Sequence, residues 1–378
     1  MDSKGLTTIT LKKINKAKVY QYIYKEKLTS KLQIVNDLQM GLSTVSQNLN
    51  VLEQEGLIER SGYFDSTGGR KAQAIGIVSD VKISIGVGIL KNMFHLAAVN
   101  LYGEAVRVDT CAVPYSNTVE YYREVISRIE DFIGENGCGK DRILGVSIAT
   151  QGIISPDGSA VTYGAIMGNA KMRLSDFSSR LPYPCRLEHD SKAAAYLELW
   201  NHSHLDSAVV FLLNQNLGGA VITNRRVHQG SSMHGGSIEH MCINPDGPIC
   251  YCKNRGCLET YCSANALEAA ARMPASEFFS SLREGTDAAL SQIWRDYLDH
   301  LAFAMKNLNI IIDSPIIISG YLAPYFTEED IAYLLDRING ATPFPIGREQ
   351  IMTGTHGQYT PAVGTALYYV EQFIQSVS

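Results

Sequence analysis

The sequence of 378 residues lacks a long hydrophobic run, since no stretch reaches the roughly 18 apolar residues of a membrane span. Its first residues contain no long apolar segment after the first lysine and no small-residue cleavage site, so no secretion signal is predicted. Strong net charge is also missing, because the total is −5 and excludes a polycation. These absences predict a cytoplasmic globular protein, for which 45% hydrophobic and 19% charged residues are ordinary.

The length exceeds what one hydrophobic core usually supports, so two or three domains are expected. The charge is unevenly distributed along the chain. Residues 1–78 contain 11 Lys and Arg against 7 Asp and Glu, whereas residues 79–378 contain 22 against 31. We call residues 1–78 the head and residues 79–378 the body. The net positive charge of the head predicts that it binds an anionic partner.

The head contains three amphipathic helical patterns and then a pattern of two strands. Apolar residues recur at helical spacing in KVYQYI, LQIVNDL and LSTVSQNL, and STGGRKAQAIGI places two glycines and two cations before an alternating strand. This order predicts a winged helix-turn-helix over residues 1–78. A small helical domain that binds another protein is the alternative. The predicted DNA contacts are Ser43, Thr44, Gln47, Asn48, Arg70 and Lys71.

Cysteine is concentrated in the segment EHMCINPDGPICYCKNRGCLET, residues 239–260. A reducing compartment disfavours disulfides, so a tight Cys/His group is more typical of a metal site. One imidazole and three thiolates suit tetrahedral zinc, and four protein ligands leave no open position for catalysis. Buried free cysteines that act as small hydrophobes are the alternative. The predicted structural Zn²⁺ site consists of His240, Cys250, Cys252 and Cys257.

Residues 79–378 alternate strand-like and helical segments in two successive α/β units. Two such units predict two lobes with a ligand-binding cleft between them. The zinc segment, together with STGGRKAQAIGI, GVSIATQGIISPDG and EHDSKAAA, resembles the ROK family of repressors, uncharacterised reading frames and sugar kinases. The resemblance spans essentially the whole chain. It implies a two-lobed actin-like (ribonuclease H-like) sugar-kinase body over residues 79–378, behind the winged head of the bacterial repressor branch.

The resemblance also implies a sugar site. Asp190 falls at the position of the kinase base, and His189 and Ser237 replace an asparagine and a glutamate of the family pattern. The two replacements imply an effector other than a plain hexose. A helix cap and a surface acid are the alternative roles for Asp190 and Glu259. The implied sugar-binding residues are Gly168, Asn169, His189, Asp190, Ser237, His240 and Glu259.

The phosphate-binding motifs of the family's kinases are altered in this sequence. Gly86 is aligned with their first aspartate, and Ile89–Leu90 is aligned with the Gly-Thr of the turn that follows. The second phosphate loop reads NQNLGGA and keeps Gly218 and Gly219. These changes imply that ATP is not bound, that the chain is not an enzyme, and that Asp190 is a vestigial base.

The sequence therefore predicts a sugar-responsive DNA-binding regulator that represses carbohydrate-utilisation genes. Its predicted partners are operator duplex DNA and a sugar or sugar derivative. A homodimer or tetramer is expected because such heads engage paired half-sites. The alternatives are an active ATP-dependent sugar kinase with an appended head, and a head that docks another protein.

Overall fold

The head of the computed structural model has three helices and a two-stranded antiparallel wing, as the sequence predicts. The structure describes residues 8–64, 71–135, 139–285 and 287–377. The elements of the head are α1 (Thr8–Glu26), α2 (Lys31–Leu38), α3 (Leu42–Gln54), β1 (Ile58–Tyr63) and β2 (Gln73–Ile77). Arg70, one of the predicted DNA contacts, lies outside the described residues.

Local sequence sets the ends of the head helices. Ser30 and Gln33 form a capping box at α2, in which each side chain accepts a hydrogen bond from the other residue's backbone amide. Helix α3 begins after Gly41, and Gly56 just beyond its end takes a φ of 69° that other residues rarely adopt. The buried side of α3 then packs against α1 and the wing.

The first lobe of the body is built on a five-stranded mixed sheet. Its elements are β3 (Ile83–Ile89), β4 (Phe94–Val99), β5 (Ala105–Cys111), α4 (Val119–Glu135), β6 (Ile143–Thr150), β7 (Ile153–Ile154), β8 (Val161–Tyr163), α5 (Ser175–Ser178), β9 (Cys185–His189) and α6 (Asp190–Asn201). The strand order is β5-β4-β3-β6-β9, and β6 runs parallel to both β3 and β9. Helix α4 buries its apolar face against this sheet.

The second lobe repeats the arrangement with its own five-stranded sheet. Its elements are β10 (Ala208–Leu213), β11 (Leu217–Thr223), β12 (Arg226–Val227), α7 (Glu259–Cys262), α8 (Ala264–Ala271), α9 (Ala275–Glu284), α10 (Ala288–Ile312), β13 (Ile316–Ser319), α11 (Glu328–Asn339) and β14 (Ile351–Thr353). The order is β12-β11-β10-β13-β14. A last helix, α12 (Thr360–Ser376), returns to the first lobe and packs on α6 and β3. The predicted pair of α/β lobes is confirmed.

The head rests on the body through an apolar cluster that continues from α1 and α3 into α12. Tyr24 stacks on Tyr102 with ring centroids 5.6 Å apart, and the Tyr102 hydroxyl donates to the Lys27 carbonyl. Residues 78–82 connect β2 to β3, and a domain boundary after residue 78 stays a prediction. None of the helices in the described ranges combines the length and apolar character needed to cross a membrane.

Candidate functional site

A cavity of about 520 Å³ lies between the two lobes. The first lobe contributes the segment after β6 and the start of α6, and the second contributes β11 and the segment around residues 234–254. The volume falls within the roughly 300–1,000 Å³ of small-molecule sites. Four predicted sugar-binding residues line it, and they come from both lobes: His189, Asp190, Ser237 and His240.

Asp190 is the first residue of α6, where a carboxylate is favoured by the helix dipole. Its Oδ1 accepts hydrogen bonds from the Ser191 amide at 2.7 Å and the Ser191 hydroxyl at 3.2 Å. Burial lowers the pKa of His189, and its Nδ1 accepts a hydrogen bond from the Ser191 amide at 3.2 Å. Because these contacts use Oδ1, the Oδ2 of Asp190 is available to a bound molecule.

The two glycines of β11 permit close packing around the cavity. A Cβ on Gly218 would lie 2.2 Å from the Ser191 hydroxyl oxygen, and a Cβ on Gly219 would lie 2.3 Å from Cγ1 of Ile238. Gly218 therefore lets α6 approach β11, and Gly219 fixes the 3₁₀ turn Ile238–His240 against the sheet. Close packing therefore explains why glycine occupies positions 218 and 219 in the segment NQNLGGA.

Glu239 lies in the cavity wall and was missed by the sequence analysis. Its side chain is buried, and Oε2 has no hydrogen-bond partner within the described residues. Burial, with a contribution from the charges of Asp190 and Glu259, raises the pKa of Glu239 to about 8. The sequence did contain a hint. Ser237 stands where the family pattern has a glutamate, and Glu239 supplies an acid two residues later.

Glu259 is engaged within the protein. Its Oε1 accepts from the Asn216 side chain at 2.7 Å and its Oε2 from the Leu217 amide at 2.6 Å. Burial raises the pKa of Glu259 to about 7, although these hydrogen bonds oppose the shift. Glu259 is absent from the described cavity lining and anchors the start of β11 to α7. Both carboxylate oxygens accept hydrogen bonds within the protein, and the role of Glu259 as a sugar contact stays a prediction.

Gly168 and Asn169 also fall outside the described cavity lining, and their predicted contact with a sugar stays a prediction. Asn169 is fully buried, and its amide donates to the Gln151 carbonyl at 2.8 Å and the Thr150 hydroxyl at 3.1 Å. These bonds hold the segment after β6, which forms one wall of the cavity. Asn169 is therefore a support for the wall, because its own side chain is turned into the fold.

The four predicted zinc ligands converge beside the cavity. One donor atom from each of His240, Cys250, Cys252 and Cys257 lies within 4.8 Å of the others. Cys252 and Cys257 have sulfurs 3.6 Å apart, and Cys250 Sγ is 4.0 Å from Nδ1 of His240. These separations and donor types fit a tetrahedral metal site with Zn–S bonds of about 2.3 Å. The residues could therefore hold a metal ion.

The metal cluster shares residues with the cavity. The Nε2 of His240 is 3.4 Å from the Tyr251 hydroxyl and 3.9 Å from Oε1 of Glu239. Tyr251 and Cys252 also line the cavity. A metal bound through Nδ1 would therefore fix the ring whose other nitrogen faces the pocket.

The exposed surface of α3 differs from prediction at one residue. Ser43 and Gln47 are exposed, Thr44 is half-buried, and Lys71 at the base of the wing is exposed. Asn48 is only 9% exposed, and its amide donates to the Thr44 carbonyl at 2.9 Å. The prediction that Asn48 reads DNA bases is therefore wrong, because its side chain lies on the packed side of the helix.

Gly86 occupies the middle of β3, beneath α12. A Cβ there would lie 1.8 Å from the Ala362 carbonyl oxygen, so no side chain fits. At Gly88, two residues nearer the strand end, the nearest atom would be 3.5 Å away. The packing of α12 on β3 therefore leaves no room in this chain for the aspartate that the family's kinases carry at the aligned position.

A winged helical head, a two-lobed sugar-kinase-like body and a His/Cys cluster beside the cleft define a recognisable class of protein. The family model described as "ROK family" matches residues 83–369. The chain belongs to the ROK family, as its sequence motifs indicate.

Individual relatives agree with this assignment. The xylose repressor of Caldicellulosiruptor bescii is 24% identical over 353 residues, which cover 87% of this chain and 88% of that protein. A ROK-family transcriptional regulator, homologous to the E. coli MLC protein, superposes with a TM-score of 0.72 over 97% of this chain and 98% of its own, at 17% identity. A ROK glucokinase from Streptomyces griseus, solved with glucose and AMPPNP, has a TM-score of 0.65 over 76% of this chain and 98% of its own, at 19% identity. These two structures establish the shared fold alone.

Proposed function

We propose that the chain is a sugar-responsive transcriptional regulator that represses carbohydrate-utilisation genes. One observation carries the proposal: a single chain joins a winged head, whose third helix exposes polar side chains, to an interlobe cavity lined by Asp190 and Glu239. A relative named as a xylose repressor aligns with 87% of this chain, and this similarity supports the same function. A sugar kinase would not need the head.

Helix α3 is proposed to enter the major groove of operator DNA. Ser43 and Gln47 present hydroxyl and amide groups that suit base edges, whereas the side chains of Lys71 and Arg70 are cations that suit phosphate or the minor groove. The basic balance of residues 1–78 favours a polyanion over a protein partner.

Helix packing supports a route by which a ligand could alter DNA binding. Asp190 begins α6, α6 packs along α12, and α12 contacts α1 of the head. A ligand that favours one arrangement of the lobes would shift the α6–α12 pair on which the head rests. The differential affinity of the ligand for the two arrangements sets the size of the effect.

The proposed metal is zinc, held in a structural role by His240 and the three cysteines. Four protein donors complete its coordination, so the metal would supply rigidity to the loop that carries Glu239 and no chemistry of its own. The proposed assembly is a homodimer or tetramer in the bacterial cytoplasm, with its heads spaced for paired half-sites. Light scattering of the purified protein measures that assembly.

The kinase alternative is disfavoured by the turn between β10 and β11. Two backbone amides of this turn already donate inside the protein: the Asn214 amide to the Leu212 carbonyl and the Leu217 amide to the Glu259 carboxylate. With these groups engaged inside the protein, the turn is poorly arranged to cradle phosphates. We therefore propose that the chain does not transfer phosphate to sugars.

The proposed function is tested with full-length protein and a labelled duplex from the region upstream of its gene. We expect a mobility shift that weakens steeply with salt and is reversed by a sugar that also raises the melting temperature. Constant DNA affinity across a panel of sugars that demonstrably bind would refute the coupling. ADP release from ATP and magnesium on adding sugar would favour the kinase.

Replacing Gln47 with alanine should weaken operator binding about tenfold, because one base-edge contact of about 1–3 kcal/mol is lost. The melting temperature should stay unchanged, since Gln47 is exposed. Asn48→Ala is the matched comparison, because its buried amide bond predicts a lower melting temperature. Fluorescence anisotropy and thermal melting measure both. Equal DNA affinity in Gln47→Ala and the wild type would contradict the recognition-helix assignment.

A further inference from the structure

A second cavity, of about 360 Å³, lies on a different side of α6 from the interlobe cavity. Helix α6 lines it with Lys192, Ala193, Tyr196 and Leu199, and the two cavities share no lining residue. The rest of its wall comes from β9, the segment around β12, and α12. Its volume falls within the roughly 300–1,000 Å³ of small-molecule sites. The second cavity is therefore large enough to hold a ligand of its own.

Basic side chains predominate among the charged groups of the second cavity. Four cations line it against two carboxylates, Glu188 and Glu371, which leaves a net charge of +2. Both carboxylates are engaged within the protein, because Glu188 pairs with Arg186 and Glu371 accepts a hydrogen bond from the Tyr196 hydroxyl. The four cations are Arg186, Lys192, Arg225 and Arg226. The lining therefore favours an anionic ligand.

Lys192 is a buried cation without a counter-ion. Its residue is 6% exposed, and it forms no ion pair with a carboxylate of the described residues. Its Nζ donates to the Met233 carbonyl at 2.6 Å and to the Gln229 side chain, so one of its three N–H donors has no described partner. Burial lowers the pKa of Lys192, and the charge of Glu188 opposes that shift. Because a buried ammonium without an opposite charge is unfavourable, an anion in this cavity would stabilise it.

Two arginines on the exposed side of the second cavity add donors for the same anion. One guanidinium nitrogen of Arg225 donates to the Ser203 and Leu205 carbonyls at 2.6 and 2.7 Å, which holds the side chain in place. Arg226 is exposed and forms no ion pair among the residues that the structure describes. Guanidinium groups present several N–H donors in one plane, an arrangement that suits phosphate oxygens.

The apolar part of the wall indicates that the anion carries a carbon skeleton. Tyr196, Leu199, Val227 and Tyr368 line the cavity together with the cations. A phosphate ion alone would fill little of the cavity and would leave these side chains in contact with water. A phosphate monoester would bring a charge of about −1.5 to −2 to the cations and would pack its carbon atoms on the apolar wall.

We propose that the second cavity is a ligand site separate from the interlobe site and that it binds a small metabolite bearing a phosphate monoester. Lys192, Arg225 and Arg226 bind the phosphate oxygens, and the apolar wall binds the carbon skeleton. The ligand contacts α12, the helix on which the head rests. This site does not depend on which molecule occupies the interlobe cavity.

The test is isothermal titration of the full-length protein at constant ionic strength. The probes are glycerol 3-phosphate, glucose 6-phosphate and inorganic phosphate. We expect at least one ester to bind once per chain, about tenfold or more tightly than inorganic phosphate. If neither ester binds, or if inorganic phosphate binds as tightly as both, the inference is overturned.

Variants locate the bound ester. Lys192→Gln and Arg226→Gln should each weaken its binding about tenfold or more, because each removes one charge-assisted contact. Lys71→Gln, which removes an exposed cation of the head, is the matched control and should bind the ester like the wild type. Unchanged affinity in Arg226→Gln would place the ester elsewhere, as would a loss confined to Lys71→Gln, and either result overturns the inference. If Lys192→Gln fails to fold, Arg226→Gln still decides, since its side chain is exposed.

Discussion

Replacing Cys257 with serine should abolish zinc binding and lower the melting temperature by about 6 °C or more. Structural zinc contributes several kcal/mol to folding, and each kcal/mol shifts the melting temperature of a domain of this size by about 2–4 °C. Cys257 is 1% exposed and 3.6 Å from the sulfur of Cys252, so its loss removes one of four donors and leaves a buried site incomplete. Metal analysis by mass spectrometry and thermal melting measure the two effects.

The loss should extend to the cavity, because His240, Tyr251 and Cys252 belong to its wall. We therefore expect Cys257→Ser to lose sugar affinity as well, even at a temperature where the protein stays folded. Cys242→Ser is the matched control, since Cys242 is exposed and is not one of the four clustered ligands. That variant should keep one zinc per chain and its sugar affinity. Full zinc occupancy in Cys257→Ser would remove the basis of the metal assignment.

The features that the sequence predicted correctly are those that depend on residues close together in the chain. Periodicity and glycine placement indicated the three helices and the wing, and these elements depend on residues close together in the chain. The four metal ligands lie within residues 240–257, so their convergence was also a local property. Asp190 is the first residue of α6, after the cap His189, and its predicted sugar role stays a prediction.

Sequence patterns did not locate the side chains whose positions depend on distant elements. Glu239 and Glu259 are both acids beside the zinc segment, yet only Glu239 reaches the cavity, because Glu259 is drawn to the amide of Leu217. Asn169 turns inward for a similar reason, since the segment after β6 offers it partners. No spacing in the sequence distinguishes these arrangements.

One error had a local signal. Asn48 lies three residues after Val45 and one before Leu49, within the i, i+3, i+4, i+7 stripe that ends at Leu52. All four are buried, so the same periodicity that predicted α3 also placed Asn48 on its packed side. The prediction that Asn48 contacts DNA relied on its polar side chain and did not take account of its position in the apolar stripe.

Replacing Gly86 with alanine should lower the stability of the body by about 3 kcal/mol or more, or prevent folding altogether. The added Cβ would lie 1.8 Å from the Ala362 carbonyl oxygen and 3.1 Å from Cβ of Ala366. Overpacking usually costs about 1–3 kcal/mol, and here the obstacle is helix backbone, which cannot rotate away as a side chain can. To accommodate the methyl group, α12 would have to move off β3, and α6 and the head rest on α12.

Gly88→Ala is the matched control for this prediction, because its added methyl group would lie in ordinary contact, 3.5 Å from Ala362. Both glycines lie in β3 with φ values that do not require glycine, so the pair separates steric fit from backbone conformation. We expect Gly88→Ala to melt within a few degrees of the wild type, whereas Gly86→Ala should melt far lower and lose DNA binding as α12 shifts beneath the head. Equal melting of the two variants would show that α12 is not packed on β3 as described, and the proposed path from Asp190 to the head would fail with it.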